Sequence, residues 1–261
     1  MTVNLLPNFA RLIATLSESD LHSALDNPEF ILDSKVVGSK TITMNYAPFD
    51  HVNRAAKVVI VGLTPGRQQA TNALKAARLA LNKGLDPFAA SKKAKVVASF
   101  SGPMRSNLVR MFDSVGLSRR LGLDTAASLW TDNTELAHFT SLLRYPVFVD
   151  GKDWSGQPDA VRTDALRKWL DAYTGEELSK LRGAVLVPLG PKVAEGLQYL
   201  AKQGKVEERL ILTGLPHPSG ANAERIACFL GDKPPHLVSV KTNADALLTA
   251  RKSIMARVEA I

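Results

Sequence analysis

The chain has 261 residues and carries 33 Lys and Arg against 25 Asp and Glu, a formal net charge of +8 that suits a phosphate-rich partner. Its single cysteine, Cys228, excludes an intramolecular disulfide, a Cys-based zinc site and a four-cysteine iron–sulfur cluster. With no basic leader at its N-terminus and no apolar run near the ~18 residues that span a bilayer, it reads as a soluble cytoplasmic protein, long enough for one large α/β domain.

In chain order, Asn4 to Leu16 sets Leu5, Phe9, Leu12, Ile13 and Leu16 at helical spacing, and Ser17 to Asp20 opens a second short helix, giving a helical N-terminal extension over about residues 1–35. Thr41 to Tyr46 alternates apolar and polar residues, as an edge strand or loop would. Val58 to Val61 is an unbroken β-branched run, the pattern of a strand covered on both faces in a parallel sheet. Gly62 to Gly66 breaks it: two glycines allow close backbone approach, and Pro65 withdraws an amide between them. The helix that follows, Gln68 to Leu81, can aim its first amides at an anion, and it carries Lys75 and Arg78.

Asp86 to Lys95 is loop-like, with the character of an active-site loop. Ser101 to Arg105 starts a helix whose Leu108, Met111, Phe112 and Val115 repeat until Gly116 stops it. A second core strand is expected around Phe139 to Leu143, then a long surface loop from Tyr145 to Pro158 that carries Trp154. Helices over Ala160 to Tyr173 and Glu176 to Leu181 precede a third strand, Ala184 to Leu189. A helix to Ala201 and a fourth strand from Arg209 deliver Pro216 to Gly220 to another strand-end turn, and helices over Ala221 to Leu230 and about 243–259 complete the chain. The alternation predicts a single-domain three-layer α/β/α fold with a short, mostly parallel sheet of about four strands, and two strand-end turns facing one cleft.

The motifs GLTPG at Gly62 to Gly66 and PHPSGAN at Pro216 to Asn222 resemble the two signature motifs of the uracil-DNA glycosylase superfamily. FSGPMRSNLVRMFDSVGL from Phe100 and VPLGPKVAEGL from Val187 resemble the segments between them, so the likeness runs from Val58 to Leu230. It implies an enzyme that flips a nucleotide out of DNA and hydrolyses its N-glycosidic bond. The bond leaves an anionic base, so a donor must face it, and His217 fills that role. Where the superfamily often has an Asp or Asn to place the attacking water, this chain has Thr64, whose hydroxyl and neighbouring carbonyls would orient water toward an already cationic sugar.

The same resemblance makes Gly62, Leu63, Phe100 and Ser141 base-binding residues, Phe100 by stacking. Ser141 stands where an Asn would read uracil, and its small hydroxyl implies a base other than plain uracil, such as a 5-substituted cytosine or uracil. Pro65, Gly66, Arg67, Arg105, Ser219, Gly220, Asn222 and Arg225 are expected to contact DNA. Ala221 is a poor wedge for the gap left by the base, so Asn222, Arg225 or the Tyr145 to Trp154 loop takes that part. No lysine stands in either motif to form a Schiff base, so the expected enzyme is a monofunctional glycosylase acting as a monomer without cofactor or metal. Two other classes compete: an inert nucleic-acid binder that kept the fold, and a nucleotide hydrolase, disfavoured for want of a carboxylate cluster beside either turn.

Overall fold

The computed structural model describes residues 4–100 and 102–260. In chain order its helices and strands are α1 (Leu6–Thr15), α2 (Asp20–Ser23), β1 (Ile31–Val37), β2 (Lys40–Asn45), β3 (Val58–Gly62), α3 (Arg67–Asn82), α4 (Pro87–Ala98), α5 (Pro103–Ser114) and α6 (Leu117–Arg120). There follow β4 (Ala137–Ser141), β5 (Val147–Val149), β6 (Lys152–Asp153), α7 (Asp164–Trp169), α8 (Glu176–Leu178), β7 (Val185–Pro188), α9 (Pro191–Lys202), α10 (Ala223–Leu230) and α11 (Ala244–Ala260). Ser101, with which the sequence reading begins the helix that is α5, lies outside the described residues.

Two sheets form, an antiparallel one in the order β1-β2-β5-β6 and a short one in the order β4-β3-β7. In the second, β3 and β7 run parallel from Val58 opposite Val185 to Val61 opposite Pro188. The mixed α/β class and the parallel sheet are as the strand–helix alternation predicts. The expected fourth strand shrinks to one parallel bridge, Ile211 with Leu186. Gly214 at φ +116° and Pro216 bend the chain away before pairing can extend.

By its contacts the chain divides into two compact units, each made of three separate stretches. The first takes the chain up to Arg54, then Gly62–Ser99 and Phe139–Leu181. Its sheet corrects two expectations. β2 is an inner strand, paired with β1 through Val36/Thr41 and with β5 through Thr43/Phe148, and β1 is a strand where the helical extension was expected to continue. Likewise Val147 to Asp153 is the hairpin of β5 and β6, and Trp154 is buried with its indole N–H donated to the Pro158 carbonyl, 3.0 Å away. The supposed loop at Asp86 to Lys95 is α4. The Asp86 carboxylate accepts from the Phe88 and Ala89 amides at 2.8 and 3.1 Å, and Pro87 begins the helix.

A polar cluster lies buried in this unit. The Glu177 carboxylate meets Lys95 Nζ at 2.8 Å and Arg144 Nε at 3.0 Å, with all three side chains at most 3% exposed. Asp50, also buried, accepts from the Tyr46 and Tyr145 hydroxyls at 2.7 and 2.6 Å and from the Leu5 amide at 3.0 Å. Arg144 Nη2 and Lys95 Nζ donate to the Asp50 and His51 carbonyls, each at 2.7 Å. Burial lowers the Lys95 pKa to about 8, against the pull of Glu177.

The second unit takes Ala55–Val61, Phe100–His138 and the chain from Arg182 onward. Val58 to Val61 and Leu186 to Val187 are core. α11 packs closely here: a Cβ built on Gly214 would stand 2.9 Å from the Ala250 Cβ, so the chain passes beneath α11 only as glycine. Among the described residues no helix is long and apolar enough to cross a membrane.

Candidate functional site

The Pro216 to Ser219 turn of the second unit is held from several sides. Asn107 of α5 donates its Nδ2 to the Pro218 carbonyl at 2.8 Å. Within the turn, His217 Nδ1 accepts the Ser219 amide at 3.2 Å. Asn222 Nδ2 bonds the Ser219 hydroxyl at 3.1 Å, Arg225 Nη1 donates to Asn222 Oδ1 at 3.3 Å, and Arg225 Nη2 donates to the Lys241 carbonyl at 3.3 Å. His217 is half-buried, and that burial holds its pKa below the usual imidazole value. At neutral pH the ring is therefore uncharged. Because Nδ1 accepts a hydrogen bond, the proton sits on Nε2 and makes that atom a donor.

His217 lines a cavity of about 680 Å³ that lies within this unit, bordered by the starts of α9, α10 and α11. Leu215, Pro216 and Leu247 give it apolar walls, while Arg225 and Lys241 bring cations and Glu195 a carboxylate. Such a volume is the size of a small-ligand site. Of the residues that the sequence singles out, His217, Asn222 and Arg225 line it together. Ser219 is joined to them by hydrogen bonds, and Gly220 lies in the short turn before α10.

The first motif belongs to the first unit, and its polar groups are engaged in the fold. The Gly62 and Leu63 carbonyls accept the Leu142 and Leu143 amides at 2.8 and 3.0 Å, which extends the ladder from β4. The Thr64 hydroxyl donates to the Tyr145 carbonyl at 3.1 Å and accepts the Val147 amide at 3.2 Å. Its one proton and one of its lone pairs are thus used to tie the turn to the hairpin.

Nor is the start of α3 open to an anion. The Arg67 amide donates to Asp153 Oδ1 at 3.0 Å, the Gly66 amide donates to Gln69 Oε1 at 3.3 Å, and a Cβ on Gly66 would meet Asp153 Oδ2 at 3.0 Å. Asp153 occupies the place where a phosphate would sit. The Arg67 guanidinium pairs with Asp26 at 2.9 Å, donates to the Gly151 carbonyl at 3.3 Å and lies over the Phe148 ring. Pro65 between them is buried.

Ser141 is buried at the end of β4, and its carbonyl accepts the Thr174 hydroxyl at 3.1 Å. In the second unit, Phe100 is buried at φ +50°, a strained conformation for a bulky residue that persists only where its surroundings hold it. The Arg105 guanidinium lies 5.4 Å from the centre of the Trp130 ring. In the stretch Tyr145 to Trp154, both of those aromatic side chains are buried.

Sequence reading misses Asn107, Lys241 and Asp153. Asn107 stands within the segment that begins at Phe100 but carries no expected role there, and Lys241 lies outside any motif. Asp153 becomes visible as a helix cap only once the hairpin brings it to Arg67, 86 residues away in the chain.

No family model and no solved structure matches the chain. Among curated proteins it is 33% identical over 217 residues to the uncharacterized protein YoxB of Bacillus subtilis (strain 168), a match that covers 82% of this chain and 85% of that one.

Proposed function

The chain belongs to the family of YoxB, and we propose that it is a monofunctional DNA glycosylase releasing a deaminated or modified pyrimidine, with His217 as the donor to the departing base. The single observation that carries this reading is the placement of His217, which lines the cavity while its Nδ1 accepts the Ser219 amide at 3.2 Å. A neutral imidazole with its proton on Nε2, fixed by the Ser219 amide, lines a cavity with apolar walls and is the kind of donor that strengthens as an anion forms. The basic balance of the chain supports DNA as the partner, and the monomer as acting form follows from the resemblance. Such an enzyme serves base-excision repair or defence against invading DNA with modified bases, since both need the same bond broken.

The geometry of Thr64 favours a second reading, a nucleic-acid binder without turnover, because the hydroxyl that would orient water is used in the fold. Incubation with oligonucleotides bearing uracil, hypoxanthine or 5-substituted cytosines, followed by alkaline cleavage of abasic sites, separates the two. Strand breaks that disappear in His217→Ala support the glycosylase. Binding without breaks on every substrate supports the inert binder.

A further inference from the structure

We infer that the cavity beside His217 is a nucleoside monophosphate site, with the phosphate at Arg225 and Lys241 and the base against the apolar wall of Leu215, Pro216 and Leu247. The inference shares His217 with the glycosylase reading but requires only binding, so it stands or falls without bond cleavage.

Size is the first argument. About 680 Å³ is more than a single pyrimidine ring fills, and it leaves room for a sugar and a phosphate. Charge is the second. Lys75 and Arg78 pair with Glu18 and Lys233 pairs with Glu224, whereas among the described residues no carboxylate lies within ion-pair distance of Arg225 or Lys241. Both of these cations face the same cavity, with Glu195 as the one carboxylate among its lining residues. Arg225 is also oriented: its bonds to Asn222 Oδ1 and the Lys241 carbonyl use two of its five N–H donors and leave the others for a ligand.

The helices add to the field. The cap residues Gly190, Asn222 and Asn243 of α9, α10 and α11 all line the cavity, so three helix N-termini open at its edge. The caps of α9 and α10 make no side-chain bond to the first amides, in contrast to α3 with its Asp153. A dianionic phosphate suits this end, and Leu215, Pro216 and Leu247, which line the same cavity as His217, offer a flat ring apolar contact. One ligand chemistry has two sources here, a free nucleotide or a nucleotide turned out of a strand.

Calorimetric titration of the full chain tests the proposal with deoxycytidine and deoxyuridine monophosphates, the matching nucleosides, and inorganic phosphate. The monophosphates are expected to bind about 10- to 100-fold more tightly than the nucleosides, the worth of a hydrogen bond to a charged group. Lys241→Ala, an exposed change that leaves folding intact, should erase most of that difference without weakening the nucleosides. Ala246→Trp, at an exposed position on the wall, should block both ligands while the melting temperature is kept. Equal binding of nucleoside and monophosphate, no binding of either, or monophosphate affinity unchanged in Lys241→Ala overturns the proposal. Competition identifies the source: a single-stranded oligonucleotide that displaces the bound monophosphate assigns the site to a strand, and failure to displace assigns it to the free nucleotide. Nucleotide binding with no base release from any oligonucleotide would sink the glycosylase and leave this site standing.

Discussion

Replacing Glu177 by Gln should be among the most destabilising isosteric changes in the chain. The carboxylate is fully buried between Lys95 Nζ at 2.8 Å and Arg144 Nε at 3.0 Å, and the change leaves both cations facing a neutral amide with Asp50 as the nearest anion of the cluster. Breaking a buried ion pair by removing one partner costs about 3–5 kcal/mol, where loss of an exposed, solvent-screened pair such as Lys75 with Glu18 costs little. Lys95 offers partial relief. Its pKa of about 8 is held up by Glu177 against burial, so without the carboxylate it falls further and the amine sheds its proton, each tenfold loss of proton affinity corresponding to about 1.4 kcal/mol.

The wild type carries a related signature. Lys95 binds a proton below about pH 8 when folded and below its ordinary 10.5 when unfolded. Between those values the unfolded chain holds more protons, so this residue makes stability rise with pH across that window. Urea unfolding of the wild type, Glu177→Gln and Lys95→Met at pH 7 and pH 9.5 checks the argument. Lys95→Met should be milder than Glu177→Gln and should lack the rise. A loss below about 1 kcal/mol in Glu177→Gln at pH 7, or a wild-type stability no higher at pH 9.5 than at pH 7, would refute the picture of a charge-balanced buried cluster.

Three further outcomes are expected. His217→Ala should slow base release about 100-fold or more with DNA affinity nearly kept, measured by single-turnover kinetics, and wild-type turnover would remove His217 from the mechanism. DNA affinity should fall steeply with salt, and Lys241→Ala should lower the log–log slope by about one, whereas Arg67→Ala should leave it unchanged because that guanidinium already pairs with Asp26. Gly214→Ala should destabilise by about 1–3 kcal/mol from backbone strain at φ +116°, with the Ala250 contact adding to it, and limited proteolysis should cut α11 more readily.

Local patterns in the sequence that depend on neighbours a few residues away are legible. The β-branched run of β3, the repeat of α5 and the amphipathic Ala-rich face of α3 all match the expected elements. Misreadings arise where distant residues decide the outcome. α4 looks like a loop because of its lysines, yet Lys95 is buried on it only because Glu177, 82 residues later, supplies the counter-charge. The β5–β6 hairpin hides behind Gly151 and Pro146, since β2 must be in place before Val147 and Val149 have a partner. The fourth strand is expected from a run of Leu and Ile, but Gly214 is needed to pass beneath α11 and pairing stops at Ile211. In the candidate site the imidazole of His217 is legible from its motif, while its tautomer is not, because that depends on how the backbone of Ser219 folds back upon it.

The two motifs therefore differ in what they leave available for chemistry. A Gly-Pro turn at a strand end is a ready anion site, but in the first unit a carboxylate of the protein itself, Asp153, already accepts the amide at the start of α3, and Thr64 bridges to the hairpin with both sides of its hydroxyl. Exposing those groups to a ligand would require breaking bonds that hold β5 and α3 in register. The second turn is built the other way around. Asn107, Asn222 and Arg225 hold its backbone and its serine, and the ring atom left without a bond in the turn is the Nε2 that carries the proton of His217. The polar groups of the first turn are thus bound within the fold, while the second turn keeps one ring atom unengaged. The contrast is measurable: Thr64→Val should lower stability by about 1–3 kcal/mol through two unsatisfied backbone partners, and should change base release no more than that loss of stability explains. A Thr64→Val enzyme that is fully stable yet inactive would return the chemistry to the first motif.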